Sequence, residues 1–251
     1  MGLFDIFLGK DERAEKARTK NIARATDKYK QSVDRMRALE ALLDDGSDEA
    51  LFGLMRRFGV TYDKSIEDEH EKEWVCEVLV KKGLAVLPAV QRYLKSADSV
   101  SWPLRVLSAI TSTRAEELTV LGEILDRHEP GYERDPTKKT QIVSHLGLMK
   151  QDGVSERIVG YLEDMDEGVR FATVEALLRH KNEPVARDPL LSRFVSAEEE
   201  SLRLRRRIAE GFADLGWLVQ GFRGKVETLL PDNFILDREG HFKLKPGATG
   251  N

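Results

Sequence analysis

The chain has 251 residues and a formal net charge of −4 at pH 7, so its overall charge provides no attraction for nucleic acid. Charged residues make up 33% and aromatic residues 7% of the chain, a balance that favours long helical surfaces over a bulky β-core. No apolar run approaches the roughly 20 residues that span a bilayer. Cys76 is the only cysteine, which excludes an internal disulfide and fits the reducing cytoplasm.

Residues 1–29 predict an amphipathic helical arm. Its apolar residues share one helical face, ahead of a segment rich in lysine and arginine: Leu3, Phe4, Phe7 and Leu8. Such an arm could lie on a membrane surface or insert into the groove of a partner. A repeat array equally needs a cap over its open end. We favour the cap and keep the anchor as the alternative, which leaves the protein cytoplasmic or peripheral to a membrane.

Residues 30–230 predict helices nearly throughout. Apolar residues recur with the i, i+3, i+4 spacing of one helical face, as in Leu39, Leu42 and Leu43, and this pattern returns about every 34 residues. A period of this length is typical of helical solenoids. The sequence therefore predicts a solenoid domain over residues 30–230.

Helix starts are predicted from local signals within this region. Thr113-x-x-Glu116 and Ser196-x-x-Glu199 have the pattern of capping boxes. Proline is tolerated in the first turn of a helix, where its missing N–H costs nothing. On this basis we expect Pro88 and Pro189 each to open the second helix of a pair.

Two loops between helix pairs share a sequence pattern, a tyrosine followed by an acid and a base. Each lies between the second helix of one pair and the first helix of the next, and insertions in solenoids often map to a binding face. They form a candidate partner-binding loop edge: Tyr62, Asp63, Lys64, Tyr132, Glu133 and Arg134. The alternative is that these are ordinary surface loops whose tyrosines pack on neighbouring helices.

The helical pattern of apolar residues ends before residue 231, and residues 231–251 predict a β-hairpin with a tail. Two short alternating apolar segments, Phe234–Leu236 and Phe242–Leu244, flank a turn-forming sequence that contains Gly240. The hairpin could cap the last helix pair or offer a strand edge to another chain. We favour capping.

Two segments resemble the HEAT-repeat family. "DEGVRFATVEALLRH", starting at Asp166, carries the Asp, Val-Arg and small-residue pattern of a HEAT first helix, and "SLRLRRRIAEGFADLGW", starting at Ser201, is a second match. The resemblance implies an all-α, right-handed solenoid of about six helix pairs. It also implies that Arg203 bonds an acid on a neighbouring unit and that the second helices line a concave face.

The predicted concave face carries a basic set near its N-terminal end: Arg56, Arg57, Arg92 and Lys95. Later second helices are acidic, so the face would change from basic to acidic along the array. Mixed charge of this kind suits selective protein recognition through electrostatic complementarity.

No catalytic or metal-binding pattern emerges from the sequence. The histidines are scattered, and "HEKEW" (residues 70–74) has Trp74 where a zinc-protease helix would place its second ligand. We therefore predict a non-enzymatic scaffold or adaptor without cofactor or metal, which binds a protein or peptide on its concave face or loop edge. The alternatives are a nucleic-acid-binding or DNA-glycosylase-like HEAT protein, and a membrane-peripheral adaptor that uses the N-terminal segment.

Overall fold

A computed structural model describes residues 9–246. Helices dominate the described chain and one small antiparallel sheet follows them, which confirms the all-α class with a C-terminal hairpin. The chain divides into two compact units, residues 1–120 and 121–251, and the division falls inside the helix Arg114–Leu125 (α7). None of the described helices combines the length and the apolar character needed to cross a bilayer.

The first unit contains six helices ahead of α7 within its described part. They are α1 (Lys10–Ala25), α2 (Ser32–Asp45), α3 (Asp48–Met55), α4 (Ser65–Lys82), α5 (Leu87–Ser96) and α6 (Ser101–Ile110), with 3-10 helices at Arg56–Gly59 and Gly83–Val86. Helix α1 packs against α2 and α3, so residues 10–25 form part of this unit. Alternate helices are neighbours: α2 packs on α4, α4 on α6, and α3 on α5.

Buried charges form a cluster inside the first unit. The Glu71 carboxylate accepts hydrogen bonds from Arg35 Nη2 at 2.7 Å and from Arg57 Nε at 2.9 Å. Asp68 accepts from Arg57 Nη2 at 2.6 Å and from Lys72 Nζ at 2.7 Å. Burial alone would raise the pKa of Glu71, but the hydrogen bonds that it accepts, led by that from Arg35, lower the pKa. Glu71 is therefore ionised near neutral pH, and the cluster ties α2 and α4 to the 3-10 helix after α3.

Two local predictions in the first unit, a capping box and a proline in the first turn of a helix, are confirmed. The Thr113 hydroxyl accepts from the Glu116 N–H at 3.2 Å, and the Glu116 carboxylate accepts from the Thr113 N–H at 3.4 Å, which completes a capping box. Pro88 lies in the first turn of α5. Cys76 is buried in α4, and its burial raises the pKa of the thiol.

The second unit contains the remaining helices and the sheet. Its described elements are α8 (Thr137–Leu146), α9 (Val154–Ile158), a 3-10 helix at Val159–Glu163, α10 (Glu167–His180), α11 (Glu183–Phe194), α12 (Leu202–Leu215), α13 (Arg223–Thr228), β1 (Phe234–Leu236) and β2 (Phe242–Leu244). Helix α8 packs on α10, and α10 packs on α12.

Two predicted helix starts in this unit are wrong. Helix α12 begins at Leu202 with Ser201 as its cap, not at Ser196, because the Glu199 carboxylate is buried in ion pairs with arginines instead of capping a helix. Pro189 lies in the interior of α11, which starts at Glu183. Both signals suit a helix start locally, but tertiary contacts and the preceding turn decide the boundary.

Polar contacts between α10 and α12 differ from the expected ladder. Among the described residues Arg203 bonds no acid; its guanidinium lies over the Phe171 ring, 3.7 Å from the centroid. Three other pairs link α10 to α12 or to the residues just before it: Ser201 Oγ donates to Glu167 at 2.9 Å, Arg170 Nε donates to Glu199 at 2.8 Å, and Arg207 pairs with Glu175. Both segments form helices, but the expected bond from Arg203 to an acid is wrong.

The C-terminal hairpin forms where the sequence places it. Phe234 pairs with Leu244 and Leu236 with Phe242 in the antiparallel register. The Phe242 ring makes edge contacts with Phe212 of α12 and with Phe234, at centroid distances of 5.9 and 6.1 Å. The hairpin therefore packs its aromatic face against the helices of the second unit.

Candidate functional site: a basic and aromatic groove

An open groove of about 640 Å³ lies in the first unit. Residues of α3, of the 3-10 helix that follows it, of α5 and of the start of α6 line it, and we call it the α3–α5–α6 groove. Four aromatic and three charged residues belong to its lining: Phe52, Phe58, Tyr93, Trp102, Arg56, Lys72 and Asp98. A concave surface that combines apolar rings with a few polar groups has the usual form of a binding site.

Aromatic rings in contact with arginines form the walls of the groove. The Phe58 and Trp102 rings stack with their centroids 5.8 Å apart and their planes 4° from parallel. The Arg105 guanidinium lies over Trp102, 4.3 Å from its ring centroid, and that of Arg92 lies over Phe52 at 3.9 Å. Each cation is attracted to the negative face of its ring, so the apolar walls carry positive charge along their edges.

Tyr93 brings a hydroxyl group to the groove from a largely buried side chain. The residue is 5% exposed, and within residues 9–246 its hydroxyl makes no hydrogen bond. Burial raises the pKa of Tyr93 to about 12, although the nearby Arg56 lowers it. The phenol thus stays protonated at physiological pH and has a donor to offer. Because Tyr93 lines the groove, its hydroxyl can donate to a bound group.

Gly59 makes room for that hydroxyl. The Tyr93 oxygen lies 2.9 Å from the position that a Cβ atom on Gly59 would occupy, closer than real Cβ contacts come. The φ angle of Gly59 is not positive, so its backbone would accept other residues. Space for the phenol is therefore the structural reason for a glycine at this position.

The charged residues of the lining differ in their availability. Lys72 is committed to Asp68, with a distance of 2.7 Å between Nζ and Oδ2. Arg56 and Asp98 are exposed, and neither forms an ion pair in the part of the chain that the structure describes. Arg56 is therefore an uncommitted guanidinium beside the Tyr93 hydroxyl.

The basic set predicted for a concave face separates into exposed and buried members. Arg56, Arg92 and Lys95 are exposed, and Arg92 donates to Glu49 at 2.6 Å. Arg57 is fully buried in the ion cluster. The prediction that Arg57 belongs to a binding surface is wrong, because its guanidinium already donates to the Glu71 and Asp68 carboxylates within the first unit.

The first tyrosine loop does not present its tyrosine. Tyr62 is 6% exposed, and its hydroxyl donates to the Ala25 carbonyl at 2.9 Å. The guanidinium carbons of Arg35 and Arg57 each lie 4.0 Å from the centroid of its ring. The prediction of Tyr62 as an exposed anchor is wrong: the ring closes over the ion cluster. Its neighbours in the loop, Asp63 and Lys64, are exposed.

The second tyrosine loop does present its tyrosine, since Tyr132 is 79% exposed. The loop is held from beneath by Lys139, which is 1% exposed and donates to the carbonyls of Glu129 and Gly131 at 3.1 Å each. Lys139 Nζ also lies 2.6 Å from the buried Asp164 carboxylate. In the same loop Arg134 is exposed, whereas Glu133 is half-buried and bonded to His128 at 2.7 Å.

Sequence reasoning missed two residues of the groove lining, Tyr93 and Trp102. A signal for Tyr93 was present, because it shares the buried face of α5 with Val90 and Leu94, and a phenol in an apolar phase needs a partner. The predicted anchor Leu3, Phe4, Phe7 and Leu8 lies outside the described residues.

A metal site, or a match to a known family or curated protein, would also indicate a function. Within residues 9–246 no group of three or more His, Cys, Asp or Glu side chains is arranged to hold a metal ion. No protein-family model and no curated protein matches this chain.

Proposed function

We propose that this protein is a non-enzymatic interaction scaffold of HEAT-like helical repeats, which binds a segment of a partner protein in the α3–α5–α6 groove. One observation carries the proposal. An open groove with aromatic walls contains both an exposed guanidinium that forms no ion pair within residues 9–246, Arg56, and the hydroxyl of Tyr93, which makes no hydrogen bond within those residues. Groups of this kind are what a protein uses to orient a bound segment.

The repeat architecture has support from contacts that recur at about one period. Arg35 bonds Glu71 across 36 residues, and the Tyr161 hydroxyl bonds the Leu125 carbonyl across 36. His180 contacts the Leu146 carbonyl across 34 residues. Side chains that link equivalent positions of successive units are expected where each unit is stabilised by its neighbours. We propose on this basis that the helix pairs stack as right-handed HEAT-like units.

The groove is a better candidate than the loop edge. The loop edge needs two exposed tyrosines, and Tyr62 is buried. The groove keeps two of the three exposed members of the predicted basic set on or next to its walls: Arg92 covers Phe52, and Arg56 lies in the lining.

A protein segment fits the groove better than a nucleic acid strand does. Proteins that bind single strands leave aromatic faces free for base stacking. In the groove, Trp102 already contacts Phe58 and Arg105, and Phe52 contacts Arg92. The net charge of −4 also gives no general attraction for phosphates.

Affinity capture with groove variants tests the proposal. The immobilised full chain is incubated with an extract of its native cells, and the retained proteins are compared with those retained by the double variant Arg56→Gln, Tyr93→Phe. Arg37→Gln, which changes an exposed arginine elsewhere in the first unit, serves as the matched control. We expect a defined set of proteins to be retained by the native chain and by Arg37→Gln, and lost with the double variant.

Tyr132→Ala tests the competing loop edge in the same assay. Loss of the captured proteins with Tyr132→Ala, and their retention by the double variant, would move the binding surface to the second unit. Equal capture by all variants, with unchanged melting temperatures, would contradict both surfaces.

A further inference from the structure

We infer that the second unit contains a binding site for a phosphate monoester group, the form in which phosphate is attached to a sugar or to a serine side chain. The site is an open pocket of about 620 Å³ between the α8–α9 turn and the α10–α11 turn, and we call it the turn pocket. None of its lining residues belongs to the α3–α5–α6 groove, so the inference is independent of the proposed function.

The charged residues of the turn pocket give it a positive surplus. Four of them belong to the lining: Lys150, Asp152, Arg179 and Lys181. All four are exposed, and none forms an ion pair within residues 9–246. Three positive charges against one negative charge leave a surplus of two, with the histidine of the lining counted as neutral.

A surplus of this size favours a ligand with two negative charges. A phosphate monoester carries nearly two at neutral pH, whereas a carboxylate carries one and leaves part of the surplus uncompensated. Guanidinium and ammonium groups both donate strong hydrogen bonds to phosphate oxygens. The acids that follow the two turns, Glu156 and Glu183, lie outside the lining, so the balance of charge within the pocket points to a phosphate group.

His180 holds the two turns together. Its Nε2 lies 3.1 Å from the Leu146 carbonyl oxygen, which can only accept, so Nε2 carries the proton and donates. The Nδ1 atom of the neutral ring then accepts from the Ser155 hydroxyl at 3.0 Å. These two bonds join the end of α10 to α8 and α9, and they keep the cations of α10 beside Lys150 of the preceding turn.

Lys181 occupies a backbone conformation that does not suit it. It closes α10 in the left-handed region, with φ at 58°, and it is the only residue other than glycine with a positive φ within residues 9–246. Helices α2 and α12 close in the same region with Gly46 and Gly216, the residue type that this conformation favours. A lysine here costs free energy that a glycine would not, and strain of this kind is characteristic of functional positions. The ammonium group that it brings to the turn pocket supplies the reason.

The neutral part of the lining limits what carries the phosphate group. The described lining has no phenyl, phenol or indole ring on which a nucleobase could stack. Its one large apolar side chain, Met149, is 3% exposed, so an acyl chain finds no contact surface. The amides of Gln151 and Asn182 remain for a polar carrier. A sugar or a peptide therefore fits the pocket better than a nucleotide or a lipid.

Isothermal titration calorimetry on the full chain tests the inference with small probes. The probes are N-acetylphosphoserine amide, inorganic phosphate, and N-acetylaspartate amide as the singly charged analogue. At about 0.05 M salt, where screening is weak, we expect the phosphoserine compound to bind with a dissociation constant of about 1 mM or below. The aspartate compound should bind about 10-fold more weakly, because it has one charge less and one acceptor oxygen less.

Charge variants connect this binding to the turn pocket. Lys150→Gln and Arg179→Gln should each weaken the phosphoserine compound about 10-fold. Lys243→Gln is the matched control, since Lys243 is an exposed lysine of β2 outside the lining, and it should change nothing. Asp152→Asn should tighten binding about 3-fold or more, because it removes the only negative charge of the described lining.

Lys181→Gly separates binding from folding. Glycine suits the left-handed conformation at this position, so the melting temperature should stay the same or rise. Binding of the phosphoserine compound should nevertheless fall about 10-fold, because the ammonium group is lost. A purely structural role for Lys181 predicts no loss of binding.

The probes also distinguish the sources of the phosphate. Tighter binding of the phosphoserine compound than of inorganic phosphate supports an ester as the natural ligand, and equal binding supports the same phosphate site with free phosphate as its ligand. Equal binding of the phosphoserine and aspartate compounds would overturn the inference, as would weaker binding by Asp152→Asn. Tighter binding of adenosine monophosphate than of either phosphate probe would assign the pocket to nucleotides. Capture by vesicles that contain phosphatidylinositol phosphate, without binding of soluble phosphates up to about 10 mM, would assign the surface to membranes; absence of all binding would also refute the site.

Discussion

The two loop tyrosines should differ in how much each contributes to the stability of the fold. Tyr62 and Tyr132 lie in loops of similar sequence, but Tyr62 is 6% exposed and Tyr132 is 79% exposed. Replacing each with alanine removes the same atoms from opposite environments. The buried ring should therefore carry a large part of the stability of the first unit, and the exposed ring almost none.

The magnitude follows from the contacts of Tyr62. Truncating a buried aromatic ring to alanine costs about 3–5 kcal/mol, and the hydrogen bond to the Ala25 carbonyl adds about 1 kcal/mol. That carbonyl belongs to the last turn of α1, where helical partners are missing. We expect Tyr62→Ala to lower the free energy of unfolding by about 4–6 kcal/mol. Tyr62→Phe should cost only about 1 kcal/mol, and Tyr132→Ala less than about 0.5 kcal/mol.

Urea unfolding followed by circular dichroism measures these differences, with the free energy extrapolated linearly to water. If the two units unfold in separate transitions, only the transition of the first unit should move with Tyr62→Ala. Equal losses for Tyr62→Ala and Tyr132→Ala, or a loss below about 1 kcal/mol for the buried tyrosine, would refute the argument that the ring closes the ion cluster.

Three further variants test the buried charges and the repeat core. Lys139→Met should lower the free energy of unfolding by about 3–5 kcal/mol, because it leaves the Asp164 carboxylate buried without a cation; adding Asp164→Asn should recover part of the loss in urea unfolding. Although burial alone would raise it, the pKa of Glu71 is held below its usual 4.5 by hydrogen bonds, so this group stabilises the fold above that pH and the contribution is lost as the pH falls through the lowered pKa. Glu71→Gln should therefore destabilise most near neutral pH and flatten the acid side of a stability–pH curve. Leu177 is fully buried in α10, and Leu177→Asp should cost several kcal/mol; an unchanged melting temperature would contradict the repeat phasing.

Local patterns predicted the elements whose stabilising contacts are close in sequence. The hairpin formed at Phe234–Leu236 and Phe242–Leu244 because alternation and a glycine turn act over a dozen residues. The box at Thr113 and Glu116 formed because both partners lie within one turn. In these cases nearly all of the interactions that decide the local structure join residues that are close together in the sequence.

Predictions failed where partners are distant in sequence. Tyr62 looked like a loop anchor, but Arg35 and Arg57 cover it from another helix and from the preceding turn. Glu199 looked like a capping residue, but Arg170, 29 residues away, takes its carboxylate. The spacing of charges along the chain does not show which of them meet in the fold. For the same reason the groove could not be predicted, although Arg56 and Arg92 were named.

The reactivity of the buried Cys76 thiol reports how often the first unit opens. A thiol reagent reaches this side chain only when α4 separates from its neighbours, so the labelling rate measures the opening equilibrium of the first unit. The sequence has no second cysteine, and the signal therefore carries no contribution from the second unit. Ligand binding in the α3–α5–α6 groove stabilises the closed form by mass action. Protection of a single sulfur atom would then give the affinity of any segment for the native chain, without a probe attached to either molecule beforehand.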